Sequence, residues 1–457
     1  MAVAPEVTVD DAAFRGQVVR PGDSDYDEHR KIWNGCFDRR PAAIVRCAGV
    51  ADVIAAVRAG RDSGLPVAVR SGGHSFPGLS MADDALVVDL SPLKGVRVDP
   101  VKQTARVQAG VLLGELDRET QAFGLAVPSG IVTHTGVAGL TLGGGLGWIQ
   151  RKHGLTVDKL VSVDLVTADG EFVTASAEEN PELFWGIRGG GGNFGIVTEF
   201  EFQCVPLQTV LAGPIFWPME RSGEVLRFYR DWVAEAPDEL MTILIHRKAP
   251  PLPFVPEELH GKPVLMVIPC WVGDVEAGEA FIRPLREFGP PVADACAVKP
   301  YLEHQSMFDP SFVPGRRYYF KACDVAELSD DLIDITVKRS LQIDSPMTSV
   351  PIWQMGGAVA RVGDEETAFN GRGAGFTYNI GACTPTEDGF DREREWVRDF
   401  WSAIERWHEG VYVNFLGDEP DRLAQAYGAD KMARLRALKR QWDPDNFFRI
   451  NQNIAPA

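Results

Sequence analysis

The sequence lacks the cysteine and histidine patterns of disulfide scaffolds and metal sites. Its seven cysteines stand singly, and no two have the Cys-x-x-Cys spacing of zinc and redox motifs. An odd number without such pairs argues against a secreted disulfide framework and predicts free thiols in a reducing, cytoplasmic setting. No spacing of His, Asp or Glu resembles a ligand set, so we expect no metal.

Long apolar runs and positive charge are also scarce. No window of about 18 uninterrupted apolar residues occurs, and the N-terminal residues 1–6 have no basic stretch followed by an apolar core. The 46 Lys and Arg are outnumbered by 64 Asp and Glu, which gives a formal net charge of −18. Because this charge repels phosphate backbones and anionic lipid surfaces, we expect neither nucleic acid nor a membrane as the main partner. The net charge remains compatible with a small-molecule ligand, including a small anion held by main-chain N–H groups.

Glycine, by contrast, is concentrated in three stretches, at residues 71–78, 130–147 and 189–195. Each begins or ends a predicted strand. Ordering many glycines is entropically costly, so a close approach of the backbone to a ligand explains them better than chance. One such cluster alone would more simply be a tight turn, but three in one predicted domain favour walls around an extended dinucleotide and its pyrophosphate.

The order of predicted elements divides the chain. At 457 residues it exceeds the length at which a single core keeps growing. Residues 1–206 contain a strand–helix–strand unit, hairpins and all three glycine stretches. Residues 207–410 combine amphipathic helices with apolar strands, which predicts an antiparallel sheet with helices on one face. Residues 411–457 form an aromatic tail that we expect to pack back on the first domain. The strands predicted after residue 206 cover residues 241–245, 263–268, 352–359, 376–380 and 411–416, and a helix is predicted at 420–441.

The sequence does not contain three common functional motifs in working form. Gly190, Gly192 and Gly195 fit G-x-G-x-x-G by letters, but a helical turn precedes them and a strand follows, the reverse of a Rossmann site. Gly261-Lys262 is followed by proline, so no Walker loop is present. No Gly-x-Ser-x-Gly elbow occurs, which argues against a serine hydrolase.

Two histidines lie among the glycines, His74 and His134. Either could be an ordinary loop residue. A neutral imidazole is also nucleophilic, and a fixed loop could hold it against an electrophilic carbon of a cofactor. The residues alone do not choose between the two.

Four ordered motifs carry a resemblance to a known family. They are Arg-Ser-Gly-Gly-His-Ser at 70–75, Gly-Leu-Thr-Leu-Gly-Gly-Gly-Leu-Gly at 139–147, the segment 182–195, and Tyr-Val-Asn-Phe at 412–415 with the closing segment 443–453. Over nearly its whole length the chain resembles the berberine bridge enzyme-like, covalent FAD-linked oxidases of the vanillyl-alcohol oxidase superfamily. The resemblance implies an α+β architecture, in which a PCMH-type FAD-binding fold of two α/β subdomains is joined to a substrate domain with a helix-covered antiparallel sheet.

The resemblance also implies how FAD is held. His74 would bond to the 8α-methyl group of FAD. Val132 stands where many relatives carry a second attachment cysteine, so a single covalent link is expected. The residues implied in cofactor binding are Arg70, Ser71, Gly72, Gly73, His74, Ser75, Pro128, Gly130, His134, Thr135, Gly139, Gly143, Gly144, Gly147, Gly192, Gly195, Ile196, Val197, Tyr412 and Asn414.

The implied reaction is hydride transfer to flavin N5 from a CH–OH or CH–NH group of a sugar, amine or secondary metabolite, with reoxidation by molecular oxygen to hydrogen peroxide. Tyr412 is the first catalytic or orienting candidate. Gln354 falls where some relatives carry an acid, and Tyr378 and Asn379 are candidates for the substrate wall. Thr135 resembles the position that controls oxygen access, where a small side chain favours an oxidase.

Two other functions stay open from the sequence. One is a flavin-dependent oxygenase or oxidative cyclase of secondary metabolism. The other is a flavoprotein that binds a ligand without turnover, for which the glutamine at position 354 is the one hint. Both a monomer and a homodimer are compatible with the sequence.

Overall fold

The computed structural model describes residues 11–417 and 419–457, so the N-terminal residues 1–6 considered above lie outside the described residues. The part of the chain before residue 207 builds two main sheets and a small strand pair. Its strands are β1 (Gln17–Val19), β2 (Ala43–Arg46), β3 (Val67–Arg70), β4 (Leu86–Asp89), β5 (Val96–Asp99), β6 (Thr104–Gln108), β7 (Leu125–Ala126), β8 (Leu160–Val166), β9 (Phe172–Ser176), β10 (Ile196–Gln203) and β11 (Val205–Pro206).

The first sheet has four strands in the order β1-β2-β4-β3, and the second has five in the order β5-β6-β10-β8-β9. Strands β2 and β3 both pair in parallel with β4, as the strand–helix–strand pattern predicted. Every pair of the second sheet is antiparallel, including the predicted hairpin of β8 and β9. Strand β3 ends where the first glycine stretch begins.

A nine-stranded antiparallel sheet follows, and it is the largest sheet of the described chain. Its path runs β16-β13-β15-β14-β19-β20-β18, and β12 pairs with β15 and β17. Its strands are β12 (Thr209–Ala212), β13 (Ile215–Pro218), β14 (Leu240–Lys248), β15 (Pro263–Trp271), β16 (Ala293–Asp294), β17 (Ala297–Pro300), β18 (Arg317–Val325), β19 (Ser349–Gln354) and β20 (Phe376–Thr384).

The α-helices of the described residues are 4 to 20 residues long. They are α1 (Tyr26–His29), α2 (Val50–Ser63), α3 (Leu113–Gln121), α4 (Val137–Gly143), α5 (Gln150–His153), α6 (Pro181–Ile187), α7 (Ser222–Ala234), α8 (Val275–Glu287), α9 (Tyr301–Gln305), α10 (Asp330–Ser340), α11 (Ala358–Arg361), α12 (Phe390–Ile404) and α13 (Leu423–Trp442).

The two faces of the large sheet pack against different partners. Leu244 and Ile352 point toward α7, α10 and α12 and share one buried cluster with them. Ile243 and Trp353, one residue away on the same strands, point to the other face and pack against Trp148 of the first part of the chain. This alternation is the period-2 pattern of a strand buried on both sides. The large sheet therefore stands between a helical layer and the glycine-rich part of the chain.

Two local predictions were wrong, and one helix was missed. The strand predicted at 352–359 ends at Gln354, because Gly356 and Gly357 have positive φ angles of 88° and 60° that leave the strand conformation. Residues 411–416 form an extended segment with a 3-10 turn at Val413–Phe415, since no strand of residues 11–417 and 419–457 pairs with them. Helix α4 was not predicted within the second glycine stretch.

The helix predicted at 420–441 is present as α13 but is kinked, because Gly428 adopts φ 71° and ψ 171° inside it. All seven cysteines are free, as predicted, and six are buried. No helix of the described residues combines the length and apolar character needed to cross a membrane. Residues 11–417 and 419–457 also contain no group of three or more His, Cys, Asp or Glu side chains able to hold a metal ion.

Candidate cofactor and substrate site

The three glycine stretches meet at one cavity of about 350 Å³. Its walls come from the loops at 71–77, 130–146 and 191–197, from the segment 412–416, and from the large sheet through Trp353. The volume lies in the range of small-molecule and cofactor pockets. No Lys, Arg, Asp or Glu is among the residues that line it. A phosphate group bound here would therefore depend on main-chain N–H groups rather than on a cationic side chain.

Two of the loops cross at a pair of glycines. A Cβ atom on Gly72 would lie 2.5 Å from the backbone nitrogen of Gly136, and one on Gly136 would lie 2.6 Å from the nitrogen of Gly72. Real side chains do not tolerate such contacts with a neighbouring backbone. The wall formed by these two loops therefore requires glycine at both positions.

His74 follows this crossing and lines the cavity. Its ring stacks on Trp33 with centroids 4.2 Å apart, and its buried Nε2 atom has no hydrogen-bond partner among the described residues. Burial, with a smaller contribution from His134, lowers the pKa of His74 to about 3. The imidazole is therefore neutral near pH 7, which is the nucleophilic form.

His134, the other histidine that could face a cofactor, lies next to His74, and the centroids of the two rings are 5.1 Å apart. It is not among the residues that line the cavity. Burial also lowers its pKa, so it too is neutral. Position rather than protonation therefore separates the two histidines.

Tyr412 brings a phenol oxygen to the cavity wall. The oxygen accepts hydrogen bonds from the backbone N–H of Gly145 at 2.8 Å and from the Nδ2 amide of Asn414 at 2.7 Å. The same amide donates to the carbonyl of Leu140 at 3.0 Å, which fixes its orientation. Burial raises the pKa of Tyr412 to about 12 although the hydrogen bonds oppose this. The phenol keeps its proton at neutral pH and can donate it to a bound molecule.

The features of this cavity fit FAD. Glycine loops offer main-chain N–H groups for a pyrophosphate, and a neutral histidine with a free nitrogen edges an apolar chamber. A family model described as an FAD binding domain matches residues 41–176, and one described as berberine and berberine like matches residues 411–455. An FAD-linked oxidoreductase of Dictyostelium discoideum is 31% identical over 450 residues, or 97% of this chain and 95% of that protein. The chain belongs to the berberine bridge enzyme-like FAD-linked oxidoreductases.

Three further matches have names that state an activity. The (R)-6-hydroxynicotine oxidase of Paenarthrobacter nicotinovorans is 30% identical, covering 97% of each chain. The solved 6-hydroxy-D-nicotine oxidase of Arthrobacter nicotinovorans matches with a TM-score of 0.88 at 30% identity, over 97% of this chain and 98% of that one. The xylooligosaccharide oxidase of Myceliophthora thermophila, solved with xylobiose, matches with a TM-score of 0.83 at 25% identity and 97% coverage of both. These likenesses confirm the predicted α+β, PCMH-type architecture.

Most of the residues expected to hold FAD in this FAD-linked oxidoreductase line the cavity. They are Ser71, Gly72, Gly73, His74, Ser75, Gly130, Thr135, Gly139, Gly192, Gly195, Ile196, Val197, Tyr412 and Asn414.

The others lie behind the wall. A Cβ atom on Gly143 would overlap Asn414, and one on Gly147 would overlap the carbonyl of Ser129, so these glycines allow close packing of the loops. Gly144 packs in the same way against the rings of Phe369 and Tyr412. Pro128 and Arg70 do not line the cavity either, and the Arg70 guanidinium donates to the carbonyl of His29.

Gln354 and Tyr378 do not reach the cavity. The Oε1 atom of Gln354 accepts a hydrogen bond from Thr242 Oγ1 at 2.9 Å on the helix-covered face of the sheet. The hydroxyl of Tyr378 lies 3.1 Å from Thr336 Oγ1 of α10. The pleat of each strand turns these side chains away from the site, so neither is retained as a catalytic candidate.

Asn379, one residue along β20, faces the cavity instead. It is 6% exposed, and its Oδ1 atom has no partner among the described residues. A buried amide oxygen without a partner is costly, so this atom is available to a ligand N–H or O–H group.

The expected binding residues omitted the end of the chain. Asn451 Nδ2 donates to the carbonyl of Gly192 at 3.1 Å, and both residues line the cavity. Lys439 holds this tail in place: its buried Nζ donates to the carbonyls of Asn193 (2.7 Å) and Phe448 (2.9 Å) and to Asp443 (2.6 Å). Asn451 lies in the closing segment that carries the resemblance, whereas nothing in the local sequence distinguishes Lys439 from an ordinary surface residue of a terminal helix.

Proposed function

We propose that this FAD-linked oxidoreductase is an oxidase that carries FAD through a single covalent bond at His74. It would oxidise a CH–OH or CH–NH group of a sugar, amine or secondary metabolite and pass the electrons to molecular oxygen. The observation that carries the proposal is the neutral His74 imidazole, with a free Nε2 atom, at the edge of the glycine-walled cavity. The relatives named 6-hydroxynicotine oxidase and xylooligosaccharide oxidase support the reaction class.

A single covalent link is supported by what lines the cavity. Val132, where many relatives carry the second attachment cysteine, is buried and forms part of the wall. None of the seven cysteines is among the lining residues. No thiol is therefore placed to form a second bond to a cofactor in this cavity.

Bound FAD supplies a hydride acceptor at N5 and a route for electrons to oxygen. Tyr412 orients the substrate, because its pKa of about 12 makes the phenol a hydrogen-bond donor rather than a base at neutral pH. Asn379 accepts a hydrogen bond from the substrate N–H or O–H through its free Oδ1 atom. Thr135 lines the cavity at the position that the resemblance links to oxygen access.

The alternative of a non-catalytic flavoprotein had one hint in the sequence, and the structure does not support it. That hint was the glutamine at position 354, and Gln354 lies on the helix-covered face of the sheet, where it bonds to Thr242. It therefore says nothing about the chemistry of the cavity.

Acid precipitation of the purified protein tests the covalent link. We expect yellow flavin to remain with the polypeptide for the wild type and to move to the supernatant for His74→Ala, while His134→Ala retains the colour. Flavin released from the wild type would contradict the link. Anaerobic mixing with alcohols, sugars and amines then tests turnover by flavin bleaching. On readmission of oxygen, an oxidase should release about one hydrogen peroxide per turnover, and a much lower yield would indicate an oxygenase.

A further inference from the structure

A small side pocket opens beside the main cavity. Its volume is about 20 Å³, and it shares the residues Ile131, Phe312 and Pro351 with the main cavity. A space of this size holds one or two water-sized groups, so it admits the end of a substrate and not a whole molecule. Aromatic rings form much of its wall, and they belong to Phe308, Phe312, Tyr318 and Phe320.

The pocket lies close to His74. Trp33 stacks between His74 and Tyr318, with centroid distances of 4.2 Å and 3.9 Å. Tyr318, a wall of the side pocket, is thus separated from His74 by the thickness of a single indole ring. A small molecule can therefore place one end in the side pocket and another in the main cavity.

Arg247 is placed in this pocket by the register of the large sheet. It lies on β14 two residues after Ile245, on the face that packs toward the first part of the chain. Its partner on β19 is Ser349, which also lines the pocket. Two residues away on each strand, Ile245 pairs with Pro351, which lines both the side pocket and the main cavity. Arg247 therefore lies two residues along β14 from Ile245, whose strand partner Pro351 lines both spaces.

The hydrogen bonds of Arg247 are long. Its guanidinium donates to the carbonyl of Lys248 and to Ser311 Oγ at 3.3 Å, and to the carbonyl of Pro346 at 3.5 Å. Good N–H···O bonds are about 2.7–3.2 Å long. By comparison, the buried Arg151 reaches the carbonyl of Met355 at 2.7 Å. The shortest hydrogen bond of Arg151 is therefore much shorter than any that the guanidinium of Arg247 forms.

No carboxylate neutralises Arg247. Within the part of the chain that the structure describes, it forms no ion pair, and the charged or titratable groups that act on it are Arg316 and the Cys383 thiol. Arg316 is itself a cation, and burial raises the pKa of Cys383 to about 11, so that the thiol is neutral. Burial lowers the pKa of Arg247 to about 10, which leaves it charged at neutral pH. A chain with net charge −18 thus keeps an unpaired guanidinium in an aromatic pocket beside its site.

We propose that the substrate is a carboxylate-bearing alcohol or amine whose carboxylate enters the side pocket and pairs with Arg247. This rests on the proposed oxidase function and narrows its substrate class to anions. The planar guanidinium matches a carboxylate in a two-bond geometry. The substrate carboxylate is the negatively charged partner that Arg247 lacks within the protein. With the carboxylate in the side pocket, the oxidisable carbon lies in the main cavity, on the side of Asn379 and Tyr412.

Isothermal calorimetry on the flavin-loaded protein tests the pairing without turnover. The probes are benzoate, phenylacetate and 3-phenylpropionate, each compared with its neutral primary amide. We expect at least one acid to bind about 10- to 100-fold more tightly than its amide, the range for hydrogen bonds to a charged group. Equal binding of every acid and amide, including no binding by any of them, would overturn the proposal with the wild type alone.

Two variants assign the preference. Arg247→Met should abolish the preference for the acid over its amide, and Arg247→Lys should retain part of that preference. Lys248→Met, which removes one positive charge from the adjacent position of the same strand, should keep the full preference. An acid preference that survives Arg247→Met would place the anion site elsewhere. Circular dichroism and bound-flavin absorbance verify that each variant is folded.

The two proposals fail separately. Loss of flavin on acid precipitation would refute the His74 link and leave the calorimetric comparison readable. Equal binding of acids and amides would refute the role of Arg247 and leave the covalent link and peroxide release intact.

Discussion

A buried carboxyl group behind the cavity offers a quantitative test of the site's electrostatics. Asp117 of α3 is 0% exposed, and Gln305 Nε2 donates to its Oδ2 atom at 3.2 Å. The same Gln305 amide donates to the carbonyl of Gly130 at 2.8 Å, so the pair supports a lining loop. Burial raises the pKa of Asp117 from 3.8 to about 7. We predict that Asp117→Asn stabilises the protein increasingly as pH rises.

The direction of this pH dependence follows from the linkage between proton binding and folding. Between pH 3.8 and about 7 the folded protein holds a proton on Asp117 that the unfolded chain has lost, so the stability contributed by this group falls as pH rises. A pKa difference of this size corresponds to about 4 kcal/mol above pH 7 and about 1.7 kcal/mol at pH 5. The amide does not titrate. The advantage of Asp117→Asn over the wild type should therefore grow by about 2.5 kcal/mol between pH 5 and pH 8.

Urea unfolding of both proteins at pH 5, 6, 7 and 8, followed by tryptophan fluorescence, measures this difference. The Oε1 atom of Gln305 has no partner among the described residues and can accept a bond from the new amide. The control Asp99→Asn makes the same chemical change at an exposed carboxyl, whose pKa is lowered by backbone N–H groups such as that of Lys102. Its effect should be constant from pH 5 to pH 8. A difference for Asp117→Asn that does not grow with pH would refute the reasoning.

Three other variants test the tail, the loop crossing and the phenol. Lys439→Met leaves Asp443 as a buried unpaired charge and should lower the free energy of unfolding by about 3–5 kcal/mol; a loss below about 1 kcal/mol in urea unfolding would contradict this. Gly72→Ala forces a methyl group against the backbone of Gly136, so it should lower the free energy of unfolding by about 1–3 kcal/mol and reduce the amount of bound flavin. Unchanged stability and unchanged flavin absorbance would contradict this. Tyr412→Phe should keep flavin bound while kcat/KM falls about 10- to 100-fold; unchanged steady-state kinetics would remove Tyr412 from the reaction.

Local patterns in the sequence predicted much of the fold and part of the site. The strand before His74, the hairpin of β8 and β9 and the reversed order around Gly190–Gly195 depend on residues close in the chain. Turn chemistry and side-chain periodicity report on such local structure directly. Residues 411–416 show the limit of such patterns. Their β-branched and aromatic side chains fit a strand, but no strand in the part of the chain that the structure describes pairs with them.

Which residues reach the cavity could not be obtained in the same way. Tyr378 and Asn379 are adjacent and equally plausible as wall residues, and only the register and pleat of β20 direct the asparagine to the site and the tyrosine to α10. The roles of Asn451 and Lys439 depend on contacts with residues more than 240 positions away. Such contacts leave no trace in local periodicity.

The sequence by itself determined the family, the cofactor class and the loop that carries His74, because closely spaced glycines and one histidine encode a backbone path that other residues cannot follow. The tertiary structure decided the rest. It placed His74, but not His134, in the cavity wall, and it placed Gln354 on the opposite face of the large sheet. It also placed Arg247 in an aromatic side pocket that no carboxylate lines. Charge pairing and sheet register join distant segments, so they exist only once the chain has folded.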